Sequence, residues 1–235
     1  MNPDRSTSAR RDSAHPKPNC FLYGVGPAVR ALERTIGHIA PTEIPVLLIG
    51  ESGTGKEYIA MEIHYRSGQR NDAFLKFDGR KVVGQSSPAW LSEHRVDSAS
   101  SGTIFFDEIG QLAPTSQDQL LSSLTKQRVQ VSARSKRFRL ISATARSLED
   151  DVRDGRFHEG LYYTINGVCL VVPSLRNRSE DIPVLVDLFL KKYAALARRS
   201  VSSLSASTMD LLVRYAWPGN VRQLESVVRD RKSNH

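Results

Sequence analysis

Short apolar runs alternate with stretches of helical periodicity from residue 20 onward. Five apolar runs predict β-strands: Pro45–Ile49, Ala73–Phe77, Thr103–Phe106, Leu140–Ser142 and Val168–Val172. Apolar residues recur at helical spacing in three intervening segments: Val29–Ile39, Lys56–Tyr65 and Ser116–Leu124. Apolar strands separated by helices are typical of a parallel sheet that helices cover on both faces. The pattern therefore predicts an α/β fold.

The pattern changes after Pro183, where helices follow one another without strands. Three amphipathic helices are predicted: Val184–Arg198, Ser207–Ala216 and Val221–Arg231. Ser205 is the predicted N-cap of the second helix, and Pro218 with Gly219 separates it from the third. We predict a disordered polar leader at residues 1–19, an α/β core at 20–180 and a small α-helical subdomain at 181–235.

Composition narrows the class of protein. The 235 residues are 40% hydrophobic, which is enough for a buried core. The longest apolar runs hold four or five residues, and a membrane span needs roughly 18, so no membrane partner is expected. Cys20 and Cys169 have neither disulfide nor zinc spacing, which favours a reducing cytoplasm, and Cys169 is expected in the core. The net charge of +8 favours anionic partners.

A phosphate-binding loop is the clearest chemical signal. The strand Pro45–Ile49 is followed by a glycine-rich turn that opens a helix: Gly50, Glu51, Ser52, Gly53, Thr54, Gly55, Lys56 and Glu57. This is the G-x-x-x-x-G-K pattern in its expected context. Glycines let backbone N–H groups wrap around phosphate oxygens, the helix N-terminus adds partial positive charge, and Lys56 adds a full charge. ATP is therefore the predicted cofactor.

Two carboxylates end the strand Thr103–Phe106. Asp107 and Glu108 follow it directly. Because residue 57 is Glu rather than the Ser or Thr that usually holds Mg²⁺, the metal would depend on another acid. We predict that Asp107 organises Mg²⁺ and that Glu108 activates the attacking water.

Five segments together resemble a known family. GESGTGKE, GTIFFDEIGQL, RFHEGLYY, PSLRNRSEDIP and WPGNVRQLE occur in this order. They resemble the AAA+ domain of bacterial sigma-54-dependent transcription activators, over about residues 20–230. The resemblance implies a P-loop AAA+ parallel sheet with a helical lid, working as an ATP-driven hexameric ring that remodels the sigma-54 polymerase holoenzyme. It also implies that Glu57 is the usual residue and that Arg222 is the lid arginine that senses nucleotide, and Arg176 and Arg178 keep the basic character of the stretch before the lid.

The sequence departs from this family at the residues of hydrolysis and output. The 23 residues between Asp78 and Gly102 contain nothing like the family's GAFTGA loop, which makes a sigma-factor contact doubtful. His158 and Thr164 stand where the family has trans-acting arginines, and such an arginine is worth roughly 10³–10⁵ in rate. Ala145 and Asp78 replace asparagines, and Asp78 is expected to repel Glu108. We therefore predict ATP binding with weak or no hydrolysis.

A basic segment offers another partner. Residues Lys126–Arg139 contain six basic side chains and no acidic one. They would contact DNA through phosphates without reading sequence, or form a solvent-exposed hairpin whose charge prevents aggregation. Trp90 and Trp217 are expected to pack in the protein rather than to stack on bases.

Four functions remain open at this point. The first is a regulatory AAA+ module acting through protein contacts, as a homo-oligomer or in a mixed ring with a complete activator. The second is an active ATPase in which Arg153, Arg156 or Arg178 replaces the missing arginines. The third is a nucleic-acid-binding protein with ATP as a structural ligand. The fourth is a decayed or truncated reading frame, since no room is left after His235 for a helix-turn-helix domain.

Overall fold

A five-stranded parallel sheet forms the centre of the protein. The computed structural model describes residues 24–81, 101–129, 138–197 and 204–230. The strands are β1 (Val46–Ile49), β2 (Ala73–Asp78), β3 (Gly102–Asp107), β4 (Phe138–Thr144) and β5 (Val168–Val171). Their order in the sheet is β2-β3-β4-β1-β5, and every pairing is parallel. All five predicted strands are confirmed, and each predicted end lies within two residues of the observed end.

Helices cover the sheet and build the C-terminal part. They are α1 (Pro27–Ile39), α2 (Lys56–Tyr65), α3 (Pro114–Val129), α4 (Leu148–Arg153), α5 (Glu159–Ile165), α6 (Ile182–Ala197), α7 (Ala206–Arg214) and α8 (Asn220–Asp230). Short 3₁₀ helices lie at Ile109–Gln111 and Leu175–Asp181. The sequence predicted all of these helices except α4, α5 and the two 3₁₀ helices.

Alternation along the strands produces two apolar layers. On β3, Ile104 and Phe106 pack into a cluster with α3, α4 and α5, while Phe105 between them packs with α1 and α2. Both layers are buried, as expected for strands covered on both faces. The predicted α/β fold with a parallel sheet is confirmed.

A third cluster holds the helical C-terminal part together. It contains Leu175, Ile182, Leu185, Val186, Phe189, Trp217, Leu224 and Val228. The Trp217 side chain is 2% exposed and donates from Nε1 to the Leu212 carbonyl at 2.8 Å, which confirms its packing role. Ser205 accepts from the Thr208 N–H and caps α7 as predicted. This helical part is called the lid below.

The register brings the chemically interesting strand ends to one edge. Ile49 at the end of β1 pairs with Thr144 at the end of β4, and Asp78 at the end of β2 pairs with Asp107 at the end of β3. The phosphate loop, the two acids and Ala145 therefore follow neighbouring strands at the carboxyl edge. This is the edge at which open α/β sheets bind ligands.

Some predictions need correction, and others fall on parts of the chain outside the described residues. Cys169 is exposed rather than in the core, because β5 is one of the two edge strands among those described and only its other face, with Leu170, is buried. The leader at residues 1–19, Cys20, Trp90 and residues 82–100 lie outside the described residues. Within the described ranges, none of the helices combines the length and the apolar character needed to cross a bilayer.

Candidate nucleotide-binding site

The phosphate loop joins β1 to α2 through two residues with left-handed backbone. Gly53 has φ +79° and Gly55 has φ +101°, which favour glycine. Gly55 is also the N-cap of α2 and has no side chain to accept from the first helical N–H groups. Those groups and the helix dipole are therefore available to an anionic ligand.

The Lys56 side chain lies against the backbone of the loop. Its side chain is only 5% exposed, and Nζ donates to the Gly50 carbonyl at 2.7 Å and the Glu51 carbonyl at 3.2 Å. The same Nζ lies 3.4 Å from Oε1 of Glu108. A nearly buried ammonium group beside glycine-rich backbone is thus fixed at the start of α2.

The two acids after β3 have different surroundings. Glu108 adopts a left-handed backbone with φ 54°, and its Oε2 accepts the Ala145 N–H at 3.1 Å. The residue that replaces the expected asparagine therefore still contacts Glu108, through its backbone. Burial raises the pKa of Asp107, and the neighbouring carboxylates of Glu108 and Glu57 raise this pKa further, against the attraction of Lys76.

Asp78 forms an ion pair with Arg80, a residue that belongs to none of the sequence motifs. Arg80 donates from Nε and from a terminal nitrogen to the two carboxylate oxygens of Asp78, both at 2.8 Å. These hydrogen bonds hold the pKa of Asp78 below its usual range. The repulsion expected between Asp78 and Glu108 is therefore offset locally by the Arg80 guanidinium.

The lid contacts the phosphate loop through polar side chains. Arg176 binds both carboxylate oxygens of Glu51, one of them at 2.8 Å, and this pairing lowers the pKa of Glu51 to about 2. The Asn220 amide donates to Glu51 Oε2 and to the Ser52 carbonyl, each at 3.1 Å. The loop residue Glu51 is therefore a joint between core and lid.

Three further contacts complete this joint. Arg178 is 6% exposed and donates to the Thr54 carbonyl at 3.0 Å. Arg222 donates from its guanidinium to Ser52 Oγ at 3.3 Å and from its backbone N–H to the Gly53 carbonyl at 3.2 Å. A Cβ on Gly53 would come within 2.3 Å of the Gly219 carbonyl, so only glycine fits at this approach.

A cleft of about 230 Å³ lies between the loop, the strand ends and the lid. Lys56, Arg80 and Arg222 bring positive charge to its wall, and Glu57, Asp107 and Glu108 bring carboxylates. The cations and the N-terminus of α2 suit phosphate groups, and the carboxylate oxygens suit a hard divalent cation. The described residues hold no cluster of three or more protein metal ligands. Mg²⁺ in nucleotide sites needs only one or two carboxylates together with phosphates.

The positions expected to carry arginines lie at α5. His158 is the N-cap of this helix and its Nδ1 accepts the Gly160 N–H at 3.0 Å, while Thr164 Oγ1 donates to the Gly160 carbonyl at 2.7 Å. Both side chains therefore have local structural contacts.

The three suggested substitute arginines are engaged within the chain. Arg153 lies 3.0 Å from Asp150, and Arg156 lies 2.8 Å from Asp151 and 2.7 Å from Asp154. Arg178 is buried against its own phosphate loop, so it is not available to act on a neighbouring subunit.

The basic segment Lys126–Arg139 begins in one secondary-structure element and ends in another. Residues 126–129 end α3 and residues 138–139 begin β4, whereas residues 130–137 lie outside the described residues. Arg139 is 1% exposed and donates to the carbonyls of Ile39 and Ala40 at 2.9 and 2.7 Å. Burial lowers its pKa to about 10. Arg139 is therefore unable to contact DNA, contrary to its inclusion in the predicted DNA-binding segment.

The family matches agree with this geometry. A family model described as "Sigma-54 interaction domain" matches residues 23–175, and one described as "AAA+ ATPase lid domain" matches residues 176–231. The chain belongs to the sigma-54 interaction domain family. The second match covers the helical part that is called the lid above.

Curated relatives of this sigma-54 interaction domain are transcriptional regulators. The transcriptional regulatory protein ZraR of Klebsiella oxytoca is 38% identical over 228 residues, which cover 88% of this chain and 51% of the relative. The Nif-specific regulatory protein of Herbaspirillum seropedicae is 36% identical over 225 residues, which cover 88% of this chain and 42% of the relative. The chain thus spans about half the length of the curated relatives it matches.

A solved structure is similar across core and lid. Brucella abortus NtrX, crystallised in complex with ATP, superposes with a TM-score of 0.77 at 32% identity. The match covers 87% of this chain and 50% of that one.

Proposed function

We propose that this chain is an ATP-binding AAA+ regulatory module of transcription, with weak or no ATP hydrolysis. The observation that carries the proposal is the position of Lys56, whose nearly buried Nζ lies against the loop carbonyls and 3.4 Å from Glu108, at the uncapped start of α2. The similarity to NtrX, crystallised with ATP, supports the same ligand here.

Each site residue has a role that follows from its surroundings. Lys56 and the loop N–H groups at the start of α2 bind the phosphates, and Arg222 joins them from the lid; the Gly50 N–H donates to the Thr144 carbonyl at 3.1 Å instead. Asp107 holds Mg²⁺, because a cation beside it offsets the cost of its burial as a carboxylate. Bound MgATP supplies a terminal phosphoryl group that water can accept. Glu108 is the base for that water, and the Ala145 N–H fixes the orientation of its carboxylate.

Weak hydrolysis is proposed because of what occupies the arginine positions. His158 and Thr164 cannot supply a guanidinium, and Arg153 and Arg156 are paired with acids of their own chain. Loss of a transition-state arginine costs roughly 10³–10⁵ in rate. The module then acts in the cytoplasm through protein contacts, as a homo-oligomer or in a mixed ring with a complete activator.

The test is nucleotide binding and turnover with purified protein. Lys56→Ala should abolish ATP binding measured by fluorescence titration. Lys191→Ala is the matched control, since it removes an exposed lysine that pairs with Asp187 on the lid surface. The wild-type chain should show little phosphate release over a hundredfold range of protein concentration.

Two outcomes would contradict the proposal. Unchanged binding by Lys56→Ala would show that the loop does not hold ATP. Turnover per subunit that rises with protein concentration would show that another residue acts across subunits, in favour of the active-ATPase alternative.

A further inference from the structure

The turn after β2 is fitted against the two acids of the site. Asp78 pairs with Asp107 in the sheet, and the Gly79 N–H donates to the Asp107 carbonyl at 2.8 Å. A Cβ on Gly79 would come within 2.4 Å of the Glu108 carbonyl, so this glycine permits a close approach. Arg80 follows directly and is thereby placed beside the acids of the cleft.

Asp78 fixes the direction of the Arg80 side chain. The carboxylate takes a bidentate pair of hydrogen bonds from the guanidinium and also accepts the Arg80 backbone N–H at 3.1 Å. A guanidinium has five N–H donors, and this pairing uses two of them. The side chain is 56% exposed and forms part of the cleft wall together with Lys56, Glu108 and Arg222.

The charge of Arg80 also acts on the site. Its pKa is raised, mainly by the hydrogen bond with Asp78 and additionally by the carboxylates of Asp107 and Glu108. Arg80 differs from Arg153 and Arg156 in that its own side chain lines the cleft, whereas theirs do not.

We propose that Arg80 acts within its own subunit on the terminal phosphate of bound ATP, and that Asp78 is its positioning residue. This inference rests on the proposed ATP binding. An arginine of the same subunit needs no neighbouring subunit, so its effect is independent of protein concentration. An arginine that contacts the terminal phosphate favours ATP over ADP, because ADP lacks that group.

The experiment compares the affinities for a non-hydrolysable ATP analogue and for ADP. Arg80→Ala should weaken analogue binding by roughly 10- to 100-fold, the factor for losing a hydrogen bond to a charged group. ADP binding should change by less than about twofold, on the same reasoning that ADP lacks the contacted group. Arg80→Lys should be intermediate, since lysine keeps the charge but not the fork.

Two further variants make the comparison specific. Asp78→Asn should weaken analogue binding less than Arg80→Ala, because it removes the anchor but keeps the cation. Lys81→Ala removes the neighbouring exposed cation and should leave both affinities unchanged. Any slow turnover should keep the same rate per subunit at all protein concentrations and fall in Arg80→Ala.

The results separate this inference from the proposed function. Equal losses for both nucleotides in Arg80→Ala, or no loss, would overturn the role of Arg80. ADP binding by Arg80→Ala also reports that the variant is folded. Unchanged nucleotide binding by Lys56→Ala would overturn the proposed function itself.

Discussion

The joint between lid and phosphate loop depends on one buried amide. Asn220 is 0% exposed and has φ 51°, in the left-handed region. Its Nδ2 donates to Glu51 Oε2 and the Ser52 carbonyl, both at 3.1 Å, and its Oδ1 accepts the Leu175 N–H at 2.8 Å. We predict that Asn220→Ala destabilises the protein and loosens the lid.

The magnitude follows from two contributions. The substitution leaves the buried Leu175 N–H without its acceptor, which costs about 1–3 kcal/mol. Alanine in a left-handed conformation costs about 1 kcal/mol more than asparagine or glycine. The free energy of unfolding should therefore fall by about 3 kcal/mol, and Tm by about 6–12 °C for a protein of this size.

Thermal unfolding of three variants tests this reasoning. Asn220→Gly loses the same hydrogen bonds but tolerates the backbone, so its Tm should lie between those of the wild type and Asn220→Ala. Lys191→Ala on the lid surface should melt within about 2 °C of the wild type, as surface substitutions usually do. An Asn220→Ala protein that melts with the wild type would refute the role given to this amide.

Two other predictions concern buried basic side chains. His64 is 3% exposed, bonds to Thr103 at 2.9 Å and has its pKa lowered from 6.5 by burial. The unfolded chain then takes up a proton more readily, so the free energy of unfolding should fall as pH drops below 6.5. His64→Gln should flatten this dependence in urea denaturation at pH 7 and pH 5, and an unchanged slope would exclude His64 as its source. Arg139→Met should lower the free energy of unfolding by about 1–3 kcal/mol in urea, since the Ala40 carbonyl loses its Arg139 donor, whereas the Ile39 carbonyl still accepts from Thr42; a stable variant would contradict the anchoring role of Arg139.

Sequence periodicity was sufficient for the sheet and for the long helices. Short apolar runs bounded by turns predict buried parallel strands, and the loop at Gly50–Glu57 fixes where α2 begins. The short helices α4 and α5 escaped prediction because six and seven residues are too few to show a helical period. Their signals are the caps: Ser147 accepts the Asp150 N–H, and His158 accepts the Gly160 N–H.

Local sequence could not distinguish positions that depend on tertiary structure. Cys169 lies in an apolar run like those of central strands, and only the strand order makes β5 an edge. Arg139 belongs to a basic run by composition, but its acceptors lie at the end of α1, about 100 residues away. The pairing of Glu51 with Arg176 spans 125 residues, and the motif that contains Asn220 gave no indication of its partner.

The contacts of each arginine bear on whether ATP hydrolysis needs a ring of subunits. Arg178 closes the lid onto the phosphate loop, and Arg153 and Arg156 pair with acids of α4 and the turn after it. Arg80 lines the cleft and is held there by Asp78. The carboxylate of Asp78 stands where an asparagine was expected, and the Arg80 guanidinium balances its charge. If Arg80 supplies the positive charge at the terminal phosphate, the hydrolysis rate is first order in protein and turnover per subunit is constant. A residue that acts from a neighbouring subunit instead makes turnover per subunit rise as the subunits assemble. Reaction order therefore distinguishes a self-contained nucleotide site from one that is completed by a neighbour.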